Sequence, residues 1–216
     1  MNNKTSNISK LITENKLDVF FSTETWLKSE TTADNVLEEA SPPNFRSFHH
    51  VSSEDGRRGV ATQVSPVLHG RDKRVNNIKT FECVVTILEH KEWEKRVLSI
   101  NLYRPPVKNL ITIRNFLDEF QELLNMAYKK YNNIIVTGDF NIWVDCDNKT
   151  YVKEFLEFLR VNSFGMHPNE PTFSRSTHFL DLVLFRNVEV SGVKVREDQI
   201  SDHYTVYFKW RPVQRD

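Results

Sequence analysis

Two rhythms of apolar residues run along this chain. Ile8, Leu11 and Ile12 recur at helical spacing in a polar background, which predicts a short amphipathic helix over residues 7–16. The run from Asp18 to Thr25 is apolar and then abruptly polar, the pattern of a buried strand that delivers a carboxylate, Glu24, at its C-terminal end. Further strands are predicted over 45–51, 59–65, 81–89, 96–103, 133–138, 179–185, 189–195 and 204–210, where β-branched and aromatic residues concentrate. Ile113, Phe116, Leu117, Phe120, Leu123, Leu124 and Ala127 mark one face of a long helix, and Val152, Phe155, Leu156 and Leu159 mark another. Strands dominate and the helices are one-faced, so the expected architecture is α+β with helices packed outside a β core.

The 216 residues, 39% hydrophobic and 12% aromatic, suffice for one sizeable core. No internal repeat, low-complexity stretch or Gly/Ser linker divides them, so a single domain over 1–216 is expected, with surface loops at 41–44 and 52–58. The 29 basic and 29 acidic side chains cancel, so a face for nucleic acid has to come from local clustering and not from net charge. Cys83 and Cys146 sit in unlike contexts, which argues for a reducing compartment over a disulfide framework. A polar start and the lack of any apolar run of spanning length predict a soluble chain, nuclear or cytoplasmic, with no membrane partner and no obligate protein partner evident.

Chemistry enters where strands end in polar residues. Asp139 and Asn141 follow the apolar strand 133–137 and a glycine that permits a tight exit. Residues at i and i+2 of an extended segment point to one side. A carboxylate there suits the activation of an attacking water, and an amide suits a donor to a transition-state oxygen. Taken alone the pair reads equally well as a capped turn. Glu24 alone reads as a solvated strand end, but rigidly held it suits a Mg²⁺ ligand. Asp181, the polar point of the apolar run 178–185, needs a partner, and His203 supplies one. Asp202 then offers a second carboxylate at the metal or water. Tyr103 and Arg104 end another strand before two prolines, and their hydroxyl and guanidinium can donate to a phosphate, as can the Thr172 hydroxyl. Arg57, Arg58, Arg71, Lys73 and Arg74 make a loose basic region of the kind phosphate contacts require, although such regions are most often solvated faces. His49 and His50 lack a companion at zinc-ligand spacing. No P-loop, dinucleotide fingerprint or serine-nucleophile elbow is present.

The combination ETWL (24–27), SPPNFR (41–46), RGVA (58–61), LYRPP (102–106), GDFNIWVD (138–145), LDLV (180–183) and SDHY (201–204) resembles the endonuclease/exonuclease/phosphatase, or DNase I-like, superfamily, and within it the endonuclease domain of non-LTR (LINE-type) retrotransposons. The resemblance spans about Asn3 to Phe208. It implies a two-sheet β-sandwich flanked by helices and Mg²⁺-dependent (or Mn²⁺-dependent) nicking of DNA that leaves a 3′ hydroxyl for target-primed reverse transcription. It further implies Glu24 as the metal-binding Glu, Tyr103 and Thr172 as phosphate contacts, Asp139 and Asn141 as the water-activating and transition-state pair, and Asp181, Asp202 and His203 as the remaining acidic and His positions. Two departures stand out. The family's opening strand, which carries an Asn of the metal site, has no counterpart before Asn3, and the polymerase that normally follows is absent, so the chain is expected to be N-terminally truncated. Ser176 to Phe179 also departs from the Gly-His-Thr usual before Leu-Asp.

The expected function is therefore that of a metal-dependent phosphodiesterase, a DNA-nicking endonuclease impaired by loss of the first strand. Its catalytic residues would be Asp139, Asn141, His203, Asp181 and Tyr103, its phosphate or DNA contacts Arg104, Thr172, Arg57 and Arg58, and its metal ligands Glu24 and Asp202. The alternatives are a catalytically silent remnant or binding module, and an abasic-site endonuclease or phosphatase of the same superfamily.

Overall fold

Alternation along three neighbouring strands fixes where the chemistry sits. In the computed structural model, which describes residues 1–52, 58–106 and 110–214, β6 (Val97–Tyr103), β7 (Asn133–Asp139) and β9 (Asp181–Arg186) are consecutive in a six-stranded sheet. Leu98, Ile100, Leu102, Ile134, Val136, Leu182 and Leu184 point to one face, where they pack with α3 (Leu110–Tyr128) and α4 (Thr150–Val161). Val97, Asn101, Tyr103, Ile135, Thr137, Asp139, Asp181 and Val183 alternate with them, and the period of two sends these side chains to the opposite face. β4 (His69–Asp72) and β5 (Glu82–Glu89) extend the sheet beyond β6, and β8 (Gly165–His167) closes the other edge.

The helix-side face is the main core. Phe116 and Phe120 of α3 stack on each other and meet Phe81 and Phe140 edge-on, while Phe140 also packs on Phe155 of α4. Phe140 is fully buried. Because burial of an aromatic ring contributes roughly 1.5–3 kcal/mol, this side chain pins the segment between Asp139 and Asn141 to the core.

The opposite face is covered by two small sheets. One has the order β1 (Val19–Thr23), β3 (Val60–Val64), β2 (Arg46–His50), all antiparallel. The other is the pair β10 (Val188–Arg196) and β11 (Thr205–Pro212). Val97, Ile135 and Val183 pack with Val190, Val206, Phe208 and Trp210 of that pair, and Val84 and Tyr103 pack with Val60 and Phe48. The result is a DNase I-like β-sandwich with α3 and α4 outside the large sheet and two further helices, α1 (Thr5–Glu14) and α2 (Glu30–Ala40), packed against Phe20 and Ala61 of the β1–β3–β2 sheet. β1 and β11 each have one hydrogen-bonded neighbour, and both line one cavity of about 830 Å³ floored by Asn101, Thr137 and Val183. The second layer is thus interrupted between them.

Element by element, α1 (Thr5–Glu14) buries Ile8, Leu11 and Ile12 as its spacing predicts. Three elements carry no strong signal in the sequence. α2 (Glu30–Ala40) is capped by Ser29, whose Oγ accepts the Thr32 amide, and it buries only Ala33, Leu37 and Ala40. β4 and β8 are four and three residues long, too short to show alternation.

Candidate active site

Register places three polar side chains in a row. Tyr103 pairs with Asp139 across the parallel β6–β7 ladder, and Asp139 pairs with Asp181 across the antiparallel β7–β9 ladder. All three lie on the face away from the helices. The approach of β6 to β7 requires Gly138, which has φ +130° and at which a Cβ would come within 1.9 Å of the Leu102 carbonyl oxygen. A side chain there would force the two strands apart.

Asp139 is buried, and its carboxylate accepts two hydrogen bonds from Asn141, from the backbone N–H at 2.9 Å and from the side-chain amide at 2.8 Å. The same amide donates to the Arg104 carbonyl at 2.8 Å. Both amide hydrogens of Asn141 are therefore engaged within the protein, and the residue, held at φ +49°, fixes the Asp139 carboxylate in place. Burial pushes the Asp139 carboxyl well above the usual carboxylate range, and the nearby Asp181 and Glu24 charges add to the rise, against the opposing effects of His203 and of the Asn141 N–H.

Asp181 and His203 meet at 2.8 Å, Oδ2 to Nδ1. Burial works against charge on this imidazole, but the hydrogen bond to Asp181 and the Asp181, Asp139 and Asp202 charges outweigh it and raise its pKa to about 9. The neutral-pH state is an imidazolium. Thr172 is fully buried and its Oγ1 accepts the Leu180 and Asp181 backbone N–H groups, both at 3.0 Å. It orients the start of β9, which replaces the expected phosphate contact.

Glu24 follows β1 at φ +49° and accepts a short hydrogen bond from the Tyr103 hydroxyl. Desolvation first, then that hydrogen bond, raises the Tyr103 pKa so that the phenol stays protonated and donating. Glu24, Asp181 and His203 all border the 830 Å³ cavity. β1 is tied to the large sheet by Asn101, whose side-chain amide donates to the Ser22 carbonyl at 3.0 Å and the Ala61 carbonyl at 2.8 Å. The sequence signal for this strut is an asparagine in the largely apolar β6.

The remaining expected site residues turn elsewhere. Arg104 is buried, donates to the Phe140 and Asn141 carbonyls at 3.0 and 3.3 Å, and lies 5.6 Å from the Phe116 ring centroid; desolvation lowers its pKa to about 10. It braces the Asp139–Asn141 turn from within. Asp202 pairs with Arg175 at 3.3 Å. Arg57 lies outside the described residues, and Arg58 stands close enough to Tyr103 to act on its charge. Arg71 and Arg74 pair with Glu89 and Asp72, and Lys73 sits 5.0 Å from the Tyr131 ring centroid, so those three basic side chains have protein partners. His49 contacts Glu30 of α2 at 2.8 Å.

The donor set fits a hard divalent cation. One Glu24 oxygen is held by Tyr103, which leaves its carboxylate oriented, and the Asp139 and Asp181 carboxylates stand opposite each other on neighbouring strands, where a cation would offset their repulsion. Mg²⁺ takes one or two carboxylates and retains waters, so it needs no tight three-residue cage. Among the described residues the group of His, Cys, Asp or Glu ligand atoms lying within 4.8 Å of one another is a different one, Asp145, Cys146 and His178.

Comparison with known proteins agrees with this architecture. Residues 97–207, just over half of the chain, match the family model described as endonuclease-reverse transcriptase. The chain belongs to that family, within the endonuclease/exonuclease/phosphatase superfamily of nucleases and phosphatases. Among solved structures, the fold is similar to the endonuclease domain of TRAS1, a telomere-specific non-LTR retrotransposon (TM-score 0.71, 17% identity, covering 99% of this chain and 95% of that one). It is also similar to the AP endonuclease LMAP from Leishmania major (TM-score 0.74, 14% identity, 98% and 82% covered). A third is the mannosyl-6-phosphatase of Bacteroides thetaiotaomicron VPI-5482 (TM-score 0.69, 14% identity, 97% and 91% covered). No curated protein matches by sequence. Among the described residues no helix is long and apolar enough to cross a membrane.

Proposed function

We propose that the chain is a divalent-metal-dependent phosphodiesterase that nicks DNA. The observation that carries this reading is the row Tyr103–Asp139–Asp181, flanked by Glu24 on one side and by the His203 imidazolium on the other. Each member has a chemical task. Asp139, fixed by Asn141, accepts the proton of an attacking water. His203, kept cationic by Asp181, neutralises a non-bridging phosphate oxygen as charge develops. Tyr103 orients Glu24, the residue that would hold Mg²⁺ or Mn²⁺, and the bound cation supplies Lewis-acid stabilisation of the phosphate.

DNA as substrate draws on the family, and the printed names of the TRAS1 and LMAP relatives point the same way. A phosphomonoester reading draws on one observation, the cavity beside Glu24, Asp181 and His203, which suits a small substrate better than a duplex. A plasmid-nicking assay with Mg²⁺ on purified protein, run beside an abasic duplex and p-nitrophenyl phosphate, separates these. The expected result is conversion of supercoiled to relaxed circles with extendable 3′ hydroxyl ends, abolished by EDTA and by Asp139→Ala. Release of nitrophenol without nicking would transfer the chain to the phosphatases, and no hydrolysis of any substrate would overturn the enzymatic reading.

A further inference from the structure

A second cluster of ligating groups lies outside the catalytic row, between the loop that follows Asn141 and the segment that precedes β9. Asp145 Oδ2 and His178 Nδ1 are 2.7 Å apart, and Cys146 Sγ lies 3.8 Å from the carboxylate oxygen and 3.9 Å from the same ring nitrogen. A hydrogen bond between Asp145 and His178 accounts for the first distance. It does not account for a thiol placed at nearly equal distance from both partners.

We propose that Asp145, Cys146 and His178 form a transition-metal site, Zn²⁺ by donor type. The three donors are one sulfur, one imidazole nitrogen and one carboxylate oxygen, a set that suits zinc and excludes Mg²⁺, which does not take thiolate. A tetrahedral ion with bonds of about 2.0–2.3 Å holds such donors roughly 3.3–3.6 Å from one another. The three distances here bracket that range, so an ion needs shifts of only about half an ångström. A fourth position remains for water.

The supports around the cluster are those a bound ion requires. The His178 ring lies against Trp143, with centroids 3.9 Å apart and planes 15° from parallel, and Lys149 caps the other side of the indole at 4.2 Å. The second oxygen of Asp145 accepts the Phe179 N–H at 3.3 Å, which orients the carboxylate. Metal here would clamp the loop 141–146 to the segment 178–181, and those two segments carry Asn141 and Asp181. With its open fourth position the site differs from a closed four-ligand structural zinc site, and the ion would act on the catalytic row only by joining these two segments.

Cobalt gives a direct readout, because a Co²⁺–thiolate bond absorbs in the near ultraviolet. Adding Co²⁺ to the metal-free protein should produce that band together with the visible bands of a tetrahedral ion, and Zn²⁺ should displace both. Cys146→Ser should abolish the thiolate band and weaken Zn²⁺ binding at least about 10-fold, since a ligand is lost. Cys83→Ser is the internal control and should leave the band intact, because Cys83 is on β5, half-buried against the core, with its thiol pushed up to about 12 by desolvation. Circular dichroism of each metal-free variant checks folding independently. A folded protein that shows no thiolate band, a band that persists in Cys146→Ser, or Zn²⁺ binding equal in wild type and Cys146→Ser would each overturn the site. Nicking in Mg²⁺ is not part of this readout, so its failure and that of the phosphodiesterase reading are distinguishable.

Discussion

Asp139 and Asp181 stand opposite each other in the antiparallel register of β7 and β9. Two carboxylates so placed repel unless a proton or a cation lies near them. His203, 2.8 Å from Asp181, is the cation the chain itself provides, and it makes the site dependent on pH.

Because the folded pKa of His203, about 9, is above the ordinary 6.5, its protonation favours the folded state. That contribution is complete below about pH 6.5 and is lost as pH rises through about 9. A shift of this size corresponds to a few kcal/mol, on the order of 3. Urea midpoints measured from pH 6 to 10 should therefore fall with rising pH, and nicking should fall on the same limb. In Asp181→Asn the limb should move toward the ordinary histidine value. An identical pH profile in that variant would sever the coupling.

Asp139→Ala removes the acceptor for the water proton and should cost roughly 10²-fold or more in turnover while DNA binding, measured by gel shift, is retained. Asn141→Ala should lose activity through the same residue, since it removes the side-chain amide that holds one Asp139 oxygen while the backbone N–H to the other is kept. The double variant should be no worse than Asp139→Ala alone, because two residues that act as a unit are non-additive. Additive losses in turnover would give Asn141 a separate contact with substrate.

Gly138→Ala tests the close approach of β6 and β7. The new Cβ would meet the Leu102 backbone, which has no side-chain freedom to yield, and the φ of +130° is strained for any L side chain. The expected loss lies at the upper end for single substitutions, above about 3 kcal/mol in denaturant unfolding. A midpoint near that of the wild type would show that the strands slide apart at little cost.

The parts of this molecule legible in the sequence are those where one physical requirement dominates. An apolar run ending in Gly138-Asp139 can only be a buried strand feeding a tight exit, and an Asp inside the apolar 178–185 run demands a partner, which is His203. α2 was not legible because its buried stripe is two alanines and one leucine, and β4 and β8 are too short for a period to register. Side-chain partners were not legible for a different reason. Whether Asn141 donates to substrate or to Asp139, whether Arg104 faces a phosphate or the Phe140 carbonyl, and whether Arg71 is free or bound to Glu89 depend on what tertiary packing brings within 3 Å. Spacing along one chain holds no record of that.

Tyr103→Phe separates orientation of the metal ligand from packing. The ring stays in its cluster with Val60, Val84 and Phe48, while Glu24 loses the hydroxyl that fixes it. Losses of a supporting group around a metal ligand typically cost about 10- to 100-fold in metal affinity or activity. The Mg²⁺ concentration for half-maximal nicking should rise by about that factor with little change in thermal midpoint. An unchanged Mg²⁺ requirement would leave Glu24 without a metal role or Tyr103 without influence on it.

Asn101 joins the two layers where Glu24 leaves β1. Its amide gives the Ser22 and Ala61 carbonyls partners inside the protein, and Ser22 is two residues from Glu24. Among the described residues β1 pairs with β3 alone and lines the cavity, so the strut bears on the placement of the carboxylate more than it would inside a fully paired sheet. Asn101→Leu keeps a side chain of similar size but takes this donor from both carbonyls; Ala61 keeps the Ser22 hydroxyl at 3.3 Å, and a buried acceptor left unpartnered costs about 1–3 kcal/mol. The expected result is a stability loss within that range, a faster exchange of β1 amides relative to those of β6 and β7, and a higher Mg²⁺ requirement than in wild type. The order of these effects is the test: in Tyr103→Phe the Mg²⁺ requirement changes without the exchange, whereas in Asn101→Leu both change together. If β1 amides keep their protection in Asn101→Leu while the Mg²⁺ requirement rises, Asn101 acts on the site by some route other than anchoring the strand.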